Sequence, residues 1–230
     1  INQKVMKMTQ RFSRQSKIGW WDQKKISNTN VMVGGCGALG TFTALQLTFL
    51  GVRKIVLVDM DKVEESNLNR QMFYEDEIGK MKADALVSKL KKINSKVKIE
   101  VYNSPIERLE KECFNNIQFV FDCLDNIETR EYLEEFCWKN KIVFIHSACS
   151  DVIGEVQLVV PNKTPRMKKY DAKMKQKEDK KSCKDFDPAI CTTNMVVASL
   201  QVDKFLDYLI RGDLKNPFIS YIRGKWVRYG

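Results

Sequence analysis

The sequence predicts a doubly wound α/β fold whose sheet is largely parallel, with antiparallel strands added in the C-terminal part. Three observations carry this. Short, continuously apolar runs such as IVLV and FVF alternate with amphipathic stretches, as strands buried on both faces of a parallel sheet do. A glycine cluster, GGCGALG, stands between the first apolar run and the first helical stretch. Beyond residue 151 the alternation stops, giving way to a long strand, a lysine-rich stretch, one long helix and a hairpin pattern.

Taken in order, residues 6–27 form a polar, helix-rich lead-in. Residues 31–33 are a short apolar strand, and 38–50 a helix with an apolar face. Residues 54–59 (KIVLVD) are a fully apolar strand ending in an acid. After a polar loop, 80–93 read as an amphipathic helix and 98–102 as a third strand. Residues 118–123 are a fourth strand, 128–139 a helix and 142–146 a fifth strand. Residues 152–160 are a long strand ending at Pro161. The stretch to about residue 187 lacks apolar periodicity and carries many lysines, the composition of a mobile crossover loop (about 163–187). Pro188 opens a long helix over 189–211, and 217–229 form a hairpin turning at Arg223 and Gly224.

The 230 residues suffice for one sizeable core, with no internal repeat and no dividing linker. No apolar run approaches the roughly 20 residues of a membrane helix. The opening residues carry no signal-peptide pattern, and a start at Ile1 is expected of a trimmed or processed chain. Seven cysteines without a regular framework, several inside apolar stretches, fit reduced thiols in the cytoplasm. The net charge of +10 permits an acidic protein or nucleic-acid partner without requiring either.

Gly35, Gly37 and Gly40 fit G-x-G-x-x-G between a strand and a helix. Such glycines let the backbone turn tightly and approach phosphate, while the helix offers free N–H groups and a positive dipole end. Asp59, nineteen residues after Gly40, ends the second strand, where an acid holds ribose hydroxyls. The next loop turns the reading from a nicotinamide to a triphosphate. Ser66, Asn67, Leu68, Asn69, Arg70 and Gln71, followed by Lys80 and Lys82, supply an amide, a guanidinium and an ammonium. Hydride transfer needs no such cluster, whereas phosphate oxygens do.

GCGALG, LVDMD, SNLNRQ, GKMKA and DCLDN occur in order, at spacings that resemble those of the ubiquitin-activating / MoeB–ThiF family of adenylyltransferases. Upstream, Arg11-Phe-Ser-Arg14-Gln15 resembles that family's RYxRQ. The resemblance implies a single Rossmann-like adenylation domain over residues 1–230. It implies that Gly35, Gly37, Ala38 and Gly40 line the phosphates and ribose of ATP, and that Asp59 holds the ribose. Asn67, Arg70 and Lys82 would hold the phosphates, Asp125 would hold Mg²⁺, and Asn126 would line the nucleotide pocket. Arg14 would reach the γ-phosphate from a partner subunit, which implies a homodimer. The implied partner is a small β-grasp ubiquitin-like or sulfur-carrier protein ending in Gly-Gly, with a conjugating enzyme as a further partner.

The chain departs from many family members in having no C-x-x-C pair; Arg166-Met-Lys-Lys169 stands where the first is expected. A four-cysteine structural zinc is therefore not expected. The family's thioester-forming cysteine precedes the long helix, which matches Cys183, among lysines that favour a thiolate, better than Cys191. Cys36 reads as a small residue filling the glycine turn, and His146 as a packed core residue. The lysine run over 168–181 is a solvated loop or a surface for an acidic partner or RNA. Two alternatives stay open: a tRNA-modifying dehydratase of the same superfamily, and a non-catalytic half of a heterodimeric activating enzyme.

Overall fold

The two apolar faces that the strand patterns demand are both covered. The computed structural model describes residues 10–167, 188–222 and 225–229. The strands are β1 (Asn30–Gly34), β2 (Lys54–Val58), β3 (Lys98–Tyr102), β4 (Phe119–Asp122), β5 (Val143–Ser150), β6 (Ile153–Val159), β7 (Phe218–Ile222) and β8 (Lys225–Tyr229). The helices are α1 (Gln23–Ser27), α2 (Ala38–Leu50), α3 (Lys82–Ile93), α4 (Ile127–Lys139) and α5 (Cys191–Arg211). One sheet of described strands runs β3-β2-β1-β4-β5-β6-β7-β8. Neighbours from β3 to β5 are parallel, and those from β5 to β8 antiparallel.

Strand residues divide by the period of two. Val31, Val33, Ile55, Leu57, Phe119, Phe121 and Ile145 enter one core with residues of α2, α3 and α5. Met32, Val56, Val58, Val120 and Phe144 enter the other with Leu133 and Cys137 of α4. Phe205 of α5 packs edge-on against Phe119, ring centres 4.9 Å apart. No helix among the described residues is long and apolar enough to cross a membrane.

The chain winds outward from β1 to β3, then crosses back to β4, so the order reverses between β1 and β4. Crevices at such a reversal, beyond the C-terminal ends of the strands, are where open α/β sheets bind ligands. The expected elements recur with small shifts. β5 runs four residues past His146 because antiparallel pairing with β6 continues to Ser150 opposite Ile153. α3 starts at Lys82 because Lys80 and Met81 close the preceding loop, Val63 N–H donating to Lys80 O at 2.8 Å. The turning residues 223–224, the first part of the lead-in and the lysine-rich crossover from 168 to 187 lie outside the described residues.

Candidate functional site

The turn after β1 is built from backbone. Gly35 adopts φ +90°, and a Cβ there would meet Cys123 O at 2.5 Å. A Cβ on Gly40 would lie 1.8 Å from Gly35 O, so both positions exclude any side chain. Gly37 differs: its open side faces only Gln71 Nε2, at 3.8 Å from a built Cβ. No side chain caps α2 and no acid lies in its first turn. Its leading N–H groups, from Ala38 onward, are thus available to an anion.

Asp59 stands beside this turn. Its Oδ2 accepts from Cys36 N–H at 2.6 Å and its Oδ1 from Asp61 N–H at 2.7 Å. Each carboxylate oxygen keeps a further lone pair for a hydroxyl donor. Burial raises the Asp59 pKa above the ordinary carboxylate value, against the two backbone donors and the Lys82 ammonium, which lower it.

The 59–81 loop brings cations to the same edge. Ser66 and Asn67 lie in a short 3-10 turn, Asn67 buried and capping it by accepting from Glu64 N–H at 3.1 Å. Leu68 and Asn69 continue the loop. Arg70 Nη1 donates to Ser66 O at 2.6 Å and to Asn69 Oδ1 at 3.0 Å, which leaves other guanidinium N–H groups for a ligand. Gln71, beside Gly37, has a buried Oε1 with no hydrogen-bond partner. The loop is anchored by a buried Lys89–Glu77 ion pair, with Lys89 4.6 Å from the centre of the Tyr74 ring.

Lys82 is the first residue of α3, where the helix dipole disfavours a cation. Its Nζ lies 2.8 Å from Asp61 Oδ2, and the side chain is nearly buried. An ammonium held at that cost, against Asp59 and Cys36, is a ready phosphate partner.

Asp125 is exposed in the turn after β4. Asn126 is the N-cap of α4, accepting from Thr129 N–H at 2.8 Å. No group of three or more His, Cys, Asp or Glu among the described residues is placed to hold a metal ion. Mg²⁺ commonly takes only one or two carboxylates, completing its shell with phosphates and water, so Asp125 fits that role when a nucleotide is present.

Arg14 is exposed beside the 3-10 turn Gln15–Lys17 and makes no hydrogen bond or ion pair with these groups among the described residues. Cys183 lies outside the described residues. Cys191 is the partly buried first residue of α5. Burial pushes the Cys36 and Cys137 thiols well above their ordinary value, Cys123 up to about 12 and Cys149 up to about 11.

Three groups were not foreseen from the sequence. Gln201 of α5 donates to Asp122 O at 3.0 Å and Ile145 O at 2.7 Å, and accepts from Thr43 Oγ1 at 3.0 Å. Cys149, at the end of β5, bonds Asn194 Oδ1 at 2.6 Å near α5's first turn. His146 is buried as expected of a core residue, but between two carboxylates.

A glycine turn at the reversal of a parallel sheet, an acid just beyond the neighbouring strand and cations gathered near the strand ends define a nucleotide-binding α/β protein. The chain belongs to the ThiF family, whose model matches residues 10–223. It is 37% identical over 166 residues to a sulfur carrier protein ThiS adenylyltransferase of Bacillus subtilis, covering 69% of this chain and 49% of that one. It is 29% identical over 222 residues to ubiquitin-like modifier-activating enzyme 5 of Gallus gallus, covering 87% and 55% respectively. The chain therefore spans about half the length of these relatives. A structure of E. coli MccB with ATP has the same fold, with TM-score 0.79, 22% identity and coverage of 95% of this chain and 70% of that one.

Proposed function

We propose that this chain binds ATP and adenylates the C-terminal glycine carboxylate of a small ubiquitin-like or sulfur-carrier protein. The supporting observation is the convergence of an uncapped helix start, a buried Lys82 and the partly free Arg70 and Gln71 on one edge of the sheet. Gly35, Gly37, Ala38 and Gly40 would cradle the nucleotide's phosphates and ribose, and Asp59 would hold the ribose hydroxyls. Asn67, Arg70 and Lys82 would bind the phosphates, with Ser66, Leu68 and Asn69 shaping the loop that presents them. Asn126 would border the pocket, and Arg14 would reach the γ-phosphate of a partner copy in a homodimer. Asp125 would hold Mg²⁺, which when bound neutralises phosphate charge.

The carboxylate attacks the α-phosphorus in line, the new C–O–P bond forms, and the bond to the bridging oxygen breaks to release pyrophosphate. The nucleophile is already ionised at neutral pH, so no general base is required. Fixed donors and cations stabilise the leaving charge, and catalysis is mainly positioning and electrostatics. A thioester can follow: the thiolate of Cys183 attacks the acyl carbon and AMP leaves. The high-pKa thiols of the buried Cys36, Cys123 and Cys137 and of the partly buried Cys149 are poor candidates for that step.

The test is ATP–pyrophosphate exchange with and without a β-grasp protein ending in Gly-Gly. Carrier-dependent exchange is expected. Exchange that is absent, or that ignores the carrier, overturns the reading. Lys82→Ala is expected to lower exchange at least 10²-fold, and Cys183→Ala to spare exchange while abolishing any thioester. The chain's charge of +10 favours one second reading, activation of a carboxylate on tRNA; tRNA-stimulated ATP consumption would select it.

A further inference from the structure

On the α4 side of the sheet lies a charged cluster that the chemistry above does not use. His146 is 1% exposed. Its Nδ1 lies 2.6 Å from Asp122 Oδ2 and its Nε2 3.3 Å from Glu155 Oε1. A neutral imidazole has one donor nitrogen and one acceptor nitrogen, so it satisfies one carboxylate and repels the other. Two carboxylates, one at each nitrogen, select the imidazolium.

The cluster reaches the nucleotide side through Leu124. Asp122 Oδ1 accepts from Leu124 N–H at 3.1 Å. Arg130, 3.9 Å from the same carboxylate oxygen, donates to Leu124 O from both Nε, at 3.0 Å, and Nη2. Both main-chain polar groups of the residue preceding Asp125 are thus fixed by charged side chains of the cluster. The carboxylate that fixes one of them is itself held by His146.

We propose that His146 is a positioning residue: its protonated ring, clamped between Asp122 and Glu155, holds the 124–126 turn against the nucleotide site, and adenylation falls as the ring loses its proton. This rests on the adenylation reading for its readout, while the clamp itself can be measured without turnover. The groups facing the ring are Asp122 from β4, Glu155 from β6 and Arg130 from α4. Glu134 and the Cys137 thiol lie on the same helix, and Glu134 is engaged by Arg166 at 2.5 Å. Gln157, opposite His146 in the register, is uncharged. Burial opposes the charge on His146, but the hydrogen bonds to Asp122 and Glu155 outweigh it and hold the pKa above the ordinary 6.5. The clamp is therefore complete below that ordinary value and is lost as pH rises through the raised one.

The chain has a single histidine, so an NMR titration of its ring is unambiguous. In the unmodified protein the ring is expected to titrate above 6.5, and the Leu124 amide to lose hydrogen-exchange protection over the same pH range. Glu155→Gln is expected to move both to lower pH, together with the alkaline limb of pyrophosphate exchange. His146→Gln is expected to lower exchange about tenfold and to remove that limb. A ring titrating at or below 6.5, or an alkaline limb that stays in place when Glu155→Gln moves the titration, overturns the proposal. A high ring titration coupled to Leu124 protection, in a chain with no exchange activity at all, supports the clamp and overturns the adenylation reading instead.

Discussion

Two turns leave neighbouring strands at the same edge of the sheet and are built on opposite principles. The turn after β1 is made by leaving side chains out: Gly35 and Gly40 sit where a Cβ would collide with main-chain carbonyls. The turn after β4 is made by adding charged side chains, with Asp122, His146, Glu155 and Arg130 contributed by four elements. The first is steric, set within the turn by Gly35 O against Gly40 and from outside it by Cys123 O against Gly35. The second is electrostatic and assembled across the fold, and it fails only when a partner is removed or titrated. On the two proposals above, a bound nucleotide would meet a rigid wall on one side and a protonation-dependent one on the other.

The sharpest way to break the second turn is Asp122→Leu. The carboxylate is fully buried, and its loss removes the nearer of the two carboxylates at His146 and the one beside Arg130; a loss of about 3–5 kcal/mol is expected from denaturant unfolding. The first turn should break next most severely with Gly40→Ala, where the built Cβ lies 1.8 Å from Gly35 O. Overpacking of this kind is expected to cost about 2–3 kcal/mol and to abolish ATP binding by calorimetric titration. Gly37→Ala sharpens the contrast. With nothing nearer than Gln71 Nε2 at 3.8 Å, stability should stay within about 0.5 kcal/mol, while ATP binding weakens because the methyl group enters the space between the turn and Gln71. Equal stability losses for Gly37→Ala and Gly40→Ala would remove the distinction between a cradle wall and its open face.

The β1 turn was readable in the sequence because its signal is local: glycine spacing, a preceding apolar run and a following helix all fall within a dozen residues, although the carbonyl that excludes a side chain at Gly35 belongs to Cys123. The position of Asp59 was readable for a related reason, since it directly follows an apolar run whose strand, β2, has a fixed place in the winding. The β4 turn was readable only as the string DCLDN. His146 looked like one more core residue at the end of an apolar strand, because its partners Asp122 and Glu155 stand 24 and 9 residues away. Gln201 gave no signal at all, as a polar residue on an amphipathic helix; its partners Asp122 and Thr43 are 79 and 158 residues distant. Lys82 was expected at the phosphates, and its pairing with Asp61 gave no signal, since that contact depends on how the 59–81 loop closes.

The winding of the sheet, the two apolar faces, the glycine turn and the supply of cations in the loop after β2 follow from residue order, as consequences of periodicity and of what a backbone without side chains can do. Tertiary structure alone decided which charges share an enclosed space. That choice set the raised pKa of His146, the anchoring of Leu124 and the high pKa of the enclosed thiols. Hydrophobic patterning repeats along the chain and can be counted there, whereas the energy of a charge depends on neighbours and solvent exclusion that exist only once distant segments have packed.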